Sequence, residues 1–441
     1  MAGMANVQGT EAPSPARGSF ITPGFRWGFA LVCSLFFLWA VANNFNDILI
    51  RQFQKSLGLN RAQAGIIQFV FYIGYFTVAL PAGLVMRRFG YKAGILVGLG
   101  LYTLGALLFL PASIGRTFEM FLFALFLIAS GAAFLETAAN PYMLAFGDPS
   151  RASQRLNFAQ AFNGFGGFLA PIIGGLFIFS GIEHSTGALA AMTAAQRDAY
   201  RIAEAHTVQG PYLVLAAAAA LIAIAVALTR LPETRTETAS EPLGPQFRTL
   251  LAQPALRGAI VAQFFYVGAQ VGIWSFFVDF VKDATPATPE RTAAYLLSAS
   301  LVMFMVGRFV GTAIMTRMPP TRLLALYAAI NVVLCLVATV VPGMAGVVAL
   351  MLTSFFMSIM FPTIFAIGVK DLGPLMPLGA SLVVMAIIGG AVFPPAMGLI
   401  ATKAGSMHPA MVLPALCFVF VAVYAWRTGR AWAGGAGQAG R

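Results

Sequence analysis

The chain has 441 residues, of which 59% are hydrophobic and only 10% charged, against about 25% charged in an ordinary soluble domain. A mean hydropathy of +0.82 means far more apolar surface than a compact core can hide from water, so a soluble globular protein is excluded and the solvent is largely lipid. The 27 Lys and Arg against 15 Asp and Glu give a net charge of +12, but they stand singly or in twos and threes between apolar blocks, which matches an anionic lipid leaflet and not a nucleic acid.

Residues 1–24, rich in Pro, Gly, Ser and Ala without periodicity, read as a disordered tail. Apolar stretches of membrane-spanning length follow at about 26–50, 63–86, 91–110, 118–146, 155–180, 208–230, 255–281, 292–316, 322–341, 345–369, 377–402 and 409–427. Twelve such spans predict an all-α, multi-pass membrane protein with both termini on one side. Eighteen of the 27 basic residues fall on that side and nine on the other, so the termini are expected in the cytoplasm. The polar stretch 231–254 reads as a cytoplasmic linker between bundles at 25–230 and 255–427, with residues 428–441 as a second tail. Cys33, Cys335 and Cys417 all lie inside apolar stretches and are expected to be plain small apolar residues.

The two halves share a pattern of helix breakers. Gly167, Pro171 and Gly175 in span five recur as Gly390, Pro394 and Gly398 in span eleven, displaced by 223 residues, and Pro141 with Gly147 recurs as Pro362 with Gly368, displaced by 221. Gly and Pro are common in membrane helices, yet two coincidences at nearly one displacement support two repeated six-helix halves, with a substrate site near the midplane where they meet.

Ionisable or hydrogen-bonding groups inside such spans carry most information, because an unpartnered charge at mid-bilayer costs at least about 2.5 kcal/mol. Span one places Trp39, Asn43 and Asp47 on one face, with Asn44 beside Asp47. A ring to stack on a pyranose and short amides for its hydroxyls are what a sugar site needs; the alternative is interhelical glue. Glu136 in span four has no basic neighbour in sequence, so its carboxyl can hold a proton near neutral pH and give it up when water or a partner arrives; the alternative is neutralisation by an arginine of another helix, for which Arg308 in span eight is the one candidate well inside a span. Asp47 and Glu136 are therefore the two candidate functional acids. Span five lines up Gln160, Asn163 and Gly167, and span seven carries Gln263, Tyr266, Gln270 and Trp274 as a polar aromatic stripe, both read as candidate substrate contacts. Tyr72 and Tyr75 are expected to be lipid-facing or packing residues. His184, His206 and His408 are not spaced for a metal, and no Walker sequence is present, so no enzyme, metal or nucleotide cofactor is expected.

The segment GLVMRRFGYKAG from Gly83 to Gly94 resembles the loop between the second and third helices of the major facilitator superfamily, with Arg87, Arg88, Gly90 and Lys92 in place and Met86 where an Asp is usual. The series FFLWAVANNFNDILI, FLETAANPY, RLNFAQAFNGFG, YVGAQVGIWSF, SFFMSIMFPTIFAIGVKDLG and MAIIGGAVFPPAMG closely resembles the fucose permease group, the bacterial fucose, galactose and glucose proton symporters. The resemblance implies import of a monosaccharide through the bacterial inner membrane by alternating access, driven by the proton gradient. It further implies coupling at Asp47 and Glu136, a cavity lined by Asn44, Gln160 and Asn163, and cavity aromatics at Trp39 and Trp274. The later spans look nearest to L-fucose permeases. Glucose, galactose, mannose or N-acetylglucosamine carriers, sodium coupling, a drug exporter and a sugar-sensing receptor are the alternatives. A monomer in the bilayer, with sugar and proton as its partners, is expected.

Overall fold

The computed structural model describes residues 19–57, 61–178, 191–229, 231 and 242–438. The described residues form α1 (Arg26–Leu57), α2 (Arg61–Phe89), α3 (Tyr91–Gly115), α4 (Phe118–Ala145), α5 (Ala152–Phe177), α6 (Ala194–His206), α7 (Gln209–Leu228), α8 (Leu243–Ala252), α9 (Pro254–Ser275), α10 (Phe277–Ala284), α11 (Glu290–Ile314), α12 (Pro320–Val340), α13 (Met344–Met357), α14 (Met360–Val369), α15 (Met376–Met385), α16 (Gly389–Ala404) and α17 (Val412–Gln438). Among the described residues, eleven stretches of helix are long and apolar enough to cross a membrane. With α5, whose first half carries Gln154, Asn157, Gln160 and Asn163, the traverses number twelve, as the hydropathy pattern predicts.

The first six traverses pack among themselves, α3 along α4 and α7 and α1 along α5; in the second group α12 and α9 lie against α17, and α9 also against α16. Leu221, Val340, Val214 and Leu399 remain exposed on the periphery, the inverse of a water-soluble surface and the expected face toward lipid chains. Cys33, Cys335 and Cys417 are free and buried.

Several boundaries differ from the sequence reading, each for a physical reason. Residues 19–24 are not a loose tail. Thr22 N–H donates to the Phe146 carbonyl at 2.7 Å and Asp148 N–H to that of Ser19, while Phe20 packs edge-on against Phe29 and Phe158. Arg155 closes this corner by donating to the carbonyls of Met143, Leu144, Gly147, Asp148 and Phe20, so a cation caps the end of α4 where carbonyls lack helical partners. Between spans five and six, α6 starts with a reciprocal capping box of Thr193 and Gln196, a signal that a search for apolar spans passes over. The linker holds α8, and α17 continues past the span end expected at residue 427.

The helix breakers also act unequally. Pro141 sits inside an unbroken α4, and Pro394 inside α16; α5 likewise runs through Gly167 and Pro171, whose Pro171 side chain lies outside the described residues. In the other half, span ten is interrupted between Met357 and Met360, just before Pro362, and span eleven between Met385 and Gly389, just before Gly390. Proline removes the N–H that would bond to the carbonyl four residues back; for Pro362 that carbonyl belongs to Ser358.

The two halves meet along the ends of the helices on the side that carries both termini. Gln154 Nε2 donates to the Thr312 carbonyl, and Asn157 Nδ2 donates to Thr363 Oγ1 at 3.2 Å. Gly83 of α2 lies so close to α15 that a Cβ there would fall 2.7 Å from Ser381 Oγ and 2.9 Å from the Pro377 carbonyl. Nearer the middle, a Cβ at Gly390 would fall 3.0 Å from the Tyr72 hydroxyl. After Gly83, the loop turns at Gly90 with φ 81°, Met86 is fully buried, and Lys92 Nζ donates to the Ala227 and Thr229 carbonyls at the end of α7.

Candidate functional site

Glu136 projects from α4 and is 6% exposed. It is hydrogen-bonded to the Tyr75 hydroxyl of α2, which accepts a hydrogen bond from Asn43 Nδ2 of α1 at 3.3 Å. The single phenolic proton is therefore directed at the carboxyl, while the amide satisfies the oxygen's lone pair. Tyr75, expected to be a packing or lipid-facing residue, is thus a member of the polar centre; the spacing within α2 gives no sign of it, because its partners come from α1 and α4.

One turn beyond Glu136, Asn140 Oδ1 accepts from Gln160 Nε2 of α5 at 3.2 Å. Arg308 of α11 reaches this cluster from the opposite half. Its Nε donates to the Ser358 carbonyl at 3.1 Å, and its Nη1 faces the Gln160 carbonyl, Gln160 Oε1 at 3.2 Å and Asn163 Oδ1 at 3.4 Å. Glu136 and Tyr266 lie near enough to interact with it electrostatically. The carbonyl freed by Pro362 is the one Arg308 uses, so the proline supplies an acceptor as well as a break. Arg308 is also a pin between halves, since Gln160 and Asn163 belong to the first and Ser358 to the second.

Among the described residues, buried side-chain polar atoms without a hydrogen-bond partner are spread over many helices, and five of them stand on α1, α4 and α9: Asn43 Oδ1, Asn140 Nδ2, both polar atoms of Gln263 and the Tyr266 hydroxyl. Each would cost about 1–3 kcal/mol if it met nothing. This set, donors and acceptors mixed, suits water and a polyhydroxyl ligand far better than an apolar one.

The remaining predicted contacts are placed as follows. Asn163 Nδ2 donates to the Phe36 carbonyl at 3.3 Å, and Asn44 Nδ2 to that of Ala40 at 2.8 Å, with Gly167 against the same amide. Trp39 departs from the expected open stacking plate: it is 1% exposed and closed against Phe36, ring centroids 4.4 Å apart, because so large an apolar surface is covered most completely inside the first half. Trp274 is half-buried and donates its indole N–H to Ser354 Oγ at 3.0 Å, and Gln270 is half-buried on the same helix. Arg87 is buried, and Arg88 lies over the Phe89 ring. Asp47 lies on α1; its side chain is outside the described residues. The structure therefore brings Asn43, Glu136, Gln160 and Asn163 into one network with Tyr75, Asn140 and Arg308.

Comparison with known proteins agrees with this architecture. The L-fucose-proton symporter of Escherichia coli strain K12 is 43% identical over 412 residues, covering 92% of this chain and 93% of that one. A glucose/galactose transporter of Brucella abortus is 37% identical over 407 residues, covering 90% of this chain and 94% of that one. A crystal structure of FucP in the outward conformation superposes with a TM-score of 0.85 at 42% identity, covering 92% of this chain and 99% of that chain. Residues 27–375 match the Major Facilitator Superfamily, and with relatives this similar over nearly its whole length, the chain belongs to that superfamily.

Proposed function

We propose that the protein is a proton-coupled symporter that imports a monosaccharide, with L-fucose first among the candidates, across the bacterial inner membrane by alternating access. It is a transporter and not an enzyme. The observation that carries this reading is the buried network in which one carboxyl, Glu136, faces one cation, Arg308, across the seam between the halves, surrounded by unpaired amides and hydroxyls. A drug exporter would be served by an apolar seam, unlike the amides and hydroxyls found here. Similarity to L-fucose-proton symporters of two bacteria supports L-fucose ahead of glucose or galactose.

With the termini in the cytoplasm, as the basic residues favour, the contacts at Gln154, Asn157 and Gly83 close the seam on the cytoplasmic side. Proton uptake at Glu136, with Asp47 as second coupling group, weakens the pull on Arg308 and allows sugar to bind among Asn43, Asn44, Gln160, Asn163, Gln263, Tyr266 and Gln270, with Trp274 as the flanking aromatic and Trp39 packed behind the site. The halves at 25–230 and 255–427 then rock about this centre, with the small-residue contacts at Gly83 and Gly390 separating as the inner side opens. The proton gradient is the only energy source and no cofactor takes part; the monomer is the working unit.

The test is uptake of labelled L-fucose into proteoliposomes at two imposed pH gradients, with sodium replaced in a parallel set and unlabelled hexoses as competitors. Accumulation that follows the proton gradient, ignores sodium and is displaced best by L-fucose is expected. Sodium-dependent uptake, or displacement by glucose but not by L-fucose, would overturn the respective part.

A further inference from the structure

The coupling centre and Trp274, at the far end of the α9 stripe, look separate, yet one side chain touches both. Phe304 of α11 is 5% exposed. On one side the Trp274 ring meets it nearly perpendicular, at 85° and 4.9 Å between centroids. On the other the guanidinium carbon of Arg308, one turn further along the same helix, stands 4.5 Å from its ring centroid. Neither group is free to drift from it. Trp274 is tied by its indole N–H to Ser354 Oγ, whose hydroxyl lies 2.7 Å from that of Ser300, and Ser300 Oγ is 3.3 Å from the Met351 carbonyl. Ser300 and Ser354 are both fully buried, so α9, α11 and α13 hold the indole in one orientation.

The partners of Arg308 divide by half. Gln160 and Asn163 belong to the first half, and the Ser358 carbonyl and the Phe304 ring to the second. When the inner side opens, the first set moves away as a body and the second travels with the arginine. A desolvated guanidinium keeps its position then only through the partners that stay, and the face of an aromatic ring is one of the few apolar surfaces that attracts a cation.

We infer that Phe304 is a positioning residue of the transport cycle, an aromatic strut that ties the sugar-facing Trp274 to the charge of Arg308 facing Glu136. It rests on the proposed symport. A sugar that presses on Trp274 thereby acts on the arginine's seat, and the arginine's pairing with Glu136 acts on the orientation of the indole. A leucine fills nearly the same volume but offers neither a π face nor a ring edge, so it separates the strut from mere filling of space.

The experiment compares Phe304→Leu with Phe304→Tyr, each assayed for proton-driven accumulation, for sugar exchange at equal concentrations without a gradient, and for the pH profile of uptake. Phe304→Leu is expected to lower accumulation by about tenfold, the loss of one desolvated cation–π contact, to keep most exchange and to alter the pH profile; Phe304→Tyr is expected to behave as the parent. Equal losses of accumulation and exchange in both variants, or an unchanged pH profile in Phe304→Leu, would overturn the strut and leave packing. A second measurement does not depend on transport. The emission attributable to Trp274, taken as the difference from a Trp274→Phe protein, is expected to shift on Arg308→Gln when Phe304 is present and to stay fixed in the Phe304→Leu background. An equal shift in both backgrounds rejects the strut even if the symport reading stands, and a protein that accumulates no sugar but shows the Phe304-dependent shift rejects the symport reading alone.

Discussion

The two halves contribute opposite kinds of polarity to the centre. In the first, Asn43, Tyr75 and Glu136 are bonded in one chain and Gln160 with Asn140 in a second beside it, an arrangement of amides and a phenol around the proposed coupling carboxyl. In the second, Arg308 is a permanent cation seated on a carbonyl and a ring, while Gln263 and Tyr266 keep unpaired polar atoms. A titratable group benefits from neighbours that tolerate both of its forms, and amides and a phenol do so by changing donor for acceptor. The half facing it supplies what stays constant.

The contrast breaks most clearly at the carboxyl. Glu136→Gln, with Asp47→Asn as companion, is expected to abolish accumulation of sugar against a gradient while preserving exchange, because a neutral amide mimics the protonated state; undiminished accumulation in both variants would remove them from coupling. Next in size is the seam. Gly83→Val puts methyl groups where a single Cβ already falls within 3 Å of Ser381 and Pro377. With overpacking costing about 1–3 kcal/mol, closure of the terminal side should weaken by about fivefold or more, read as faster labelling of a cysteine placed at residue 157 by a reagent entering from that side. Labelling no faster than in the parent would mean the close approach is slack. The smallest effect sharpens the second half: Gln263→Leu removes two orphaned atoms, so thermal stability should hold or rise by about 1 kcal/mol while half-saturation by sugar rises roughly tenfold. Lost stability with unchanged half-saturation would make Gln263 interhelical glue.

What was legible in the sequence follows from which interactions are local. Twelve traverses, the repeated halves and the acidic residue Glu136 could be read because length, hydropathy and the rarity of a charge in an apolar run are properties of one segment at a time. Arg308 entered only in the alternative reading of Glu136, as a neutralising partner from another helix. Tyr75 was not, since nothing within α2 distinguishes it from the neighbouring aromatics until α1 and α4 bring Asn43 and Glu136 to its hydroxyl. Trp39 shows the reverse failure: helical periodicity put it on the face of Asn43, but periodicity says nothing of the depth of that face, and the indole ended up covered. The helix α6 did leave a local trace, Thr193 and Gln196 at capping-box spacing, hidden by reading the segment for hydropathy alone.

Pro362 alters how substitutions near it should be understood. In a helix considered by itself, exchanging proline for alanine restores a backbone bond and is a gain. Here the restored amide hydrogen would share the Ser358 oxygen with a guanidinium, so straightening the helix would loosen the seat of a buried positive charge. An imperfection in one helix is part of the socket for a residue of another, and repairing it would weaken the hold on the cation at the transporter's centre.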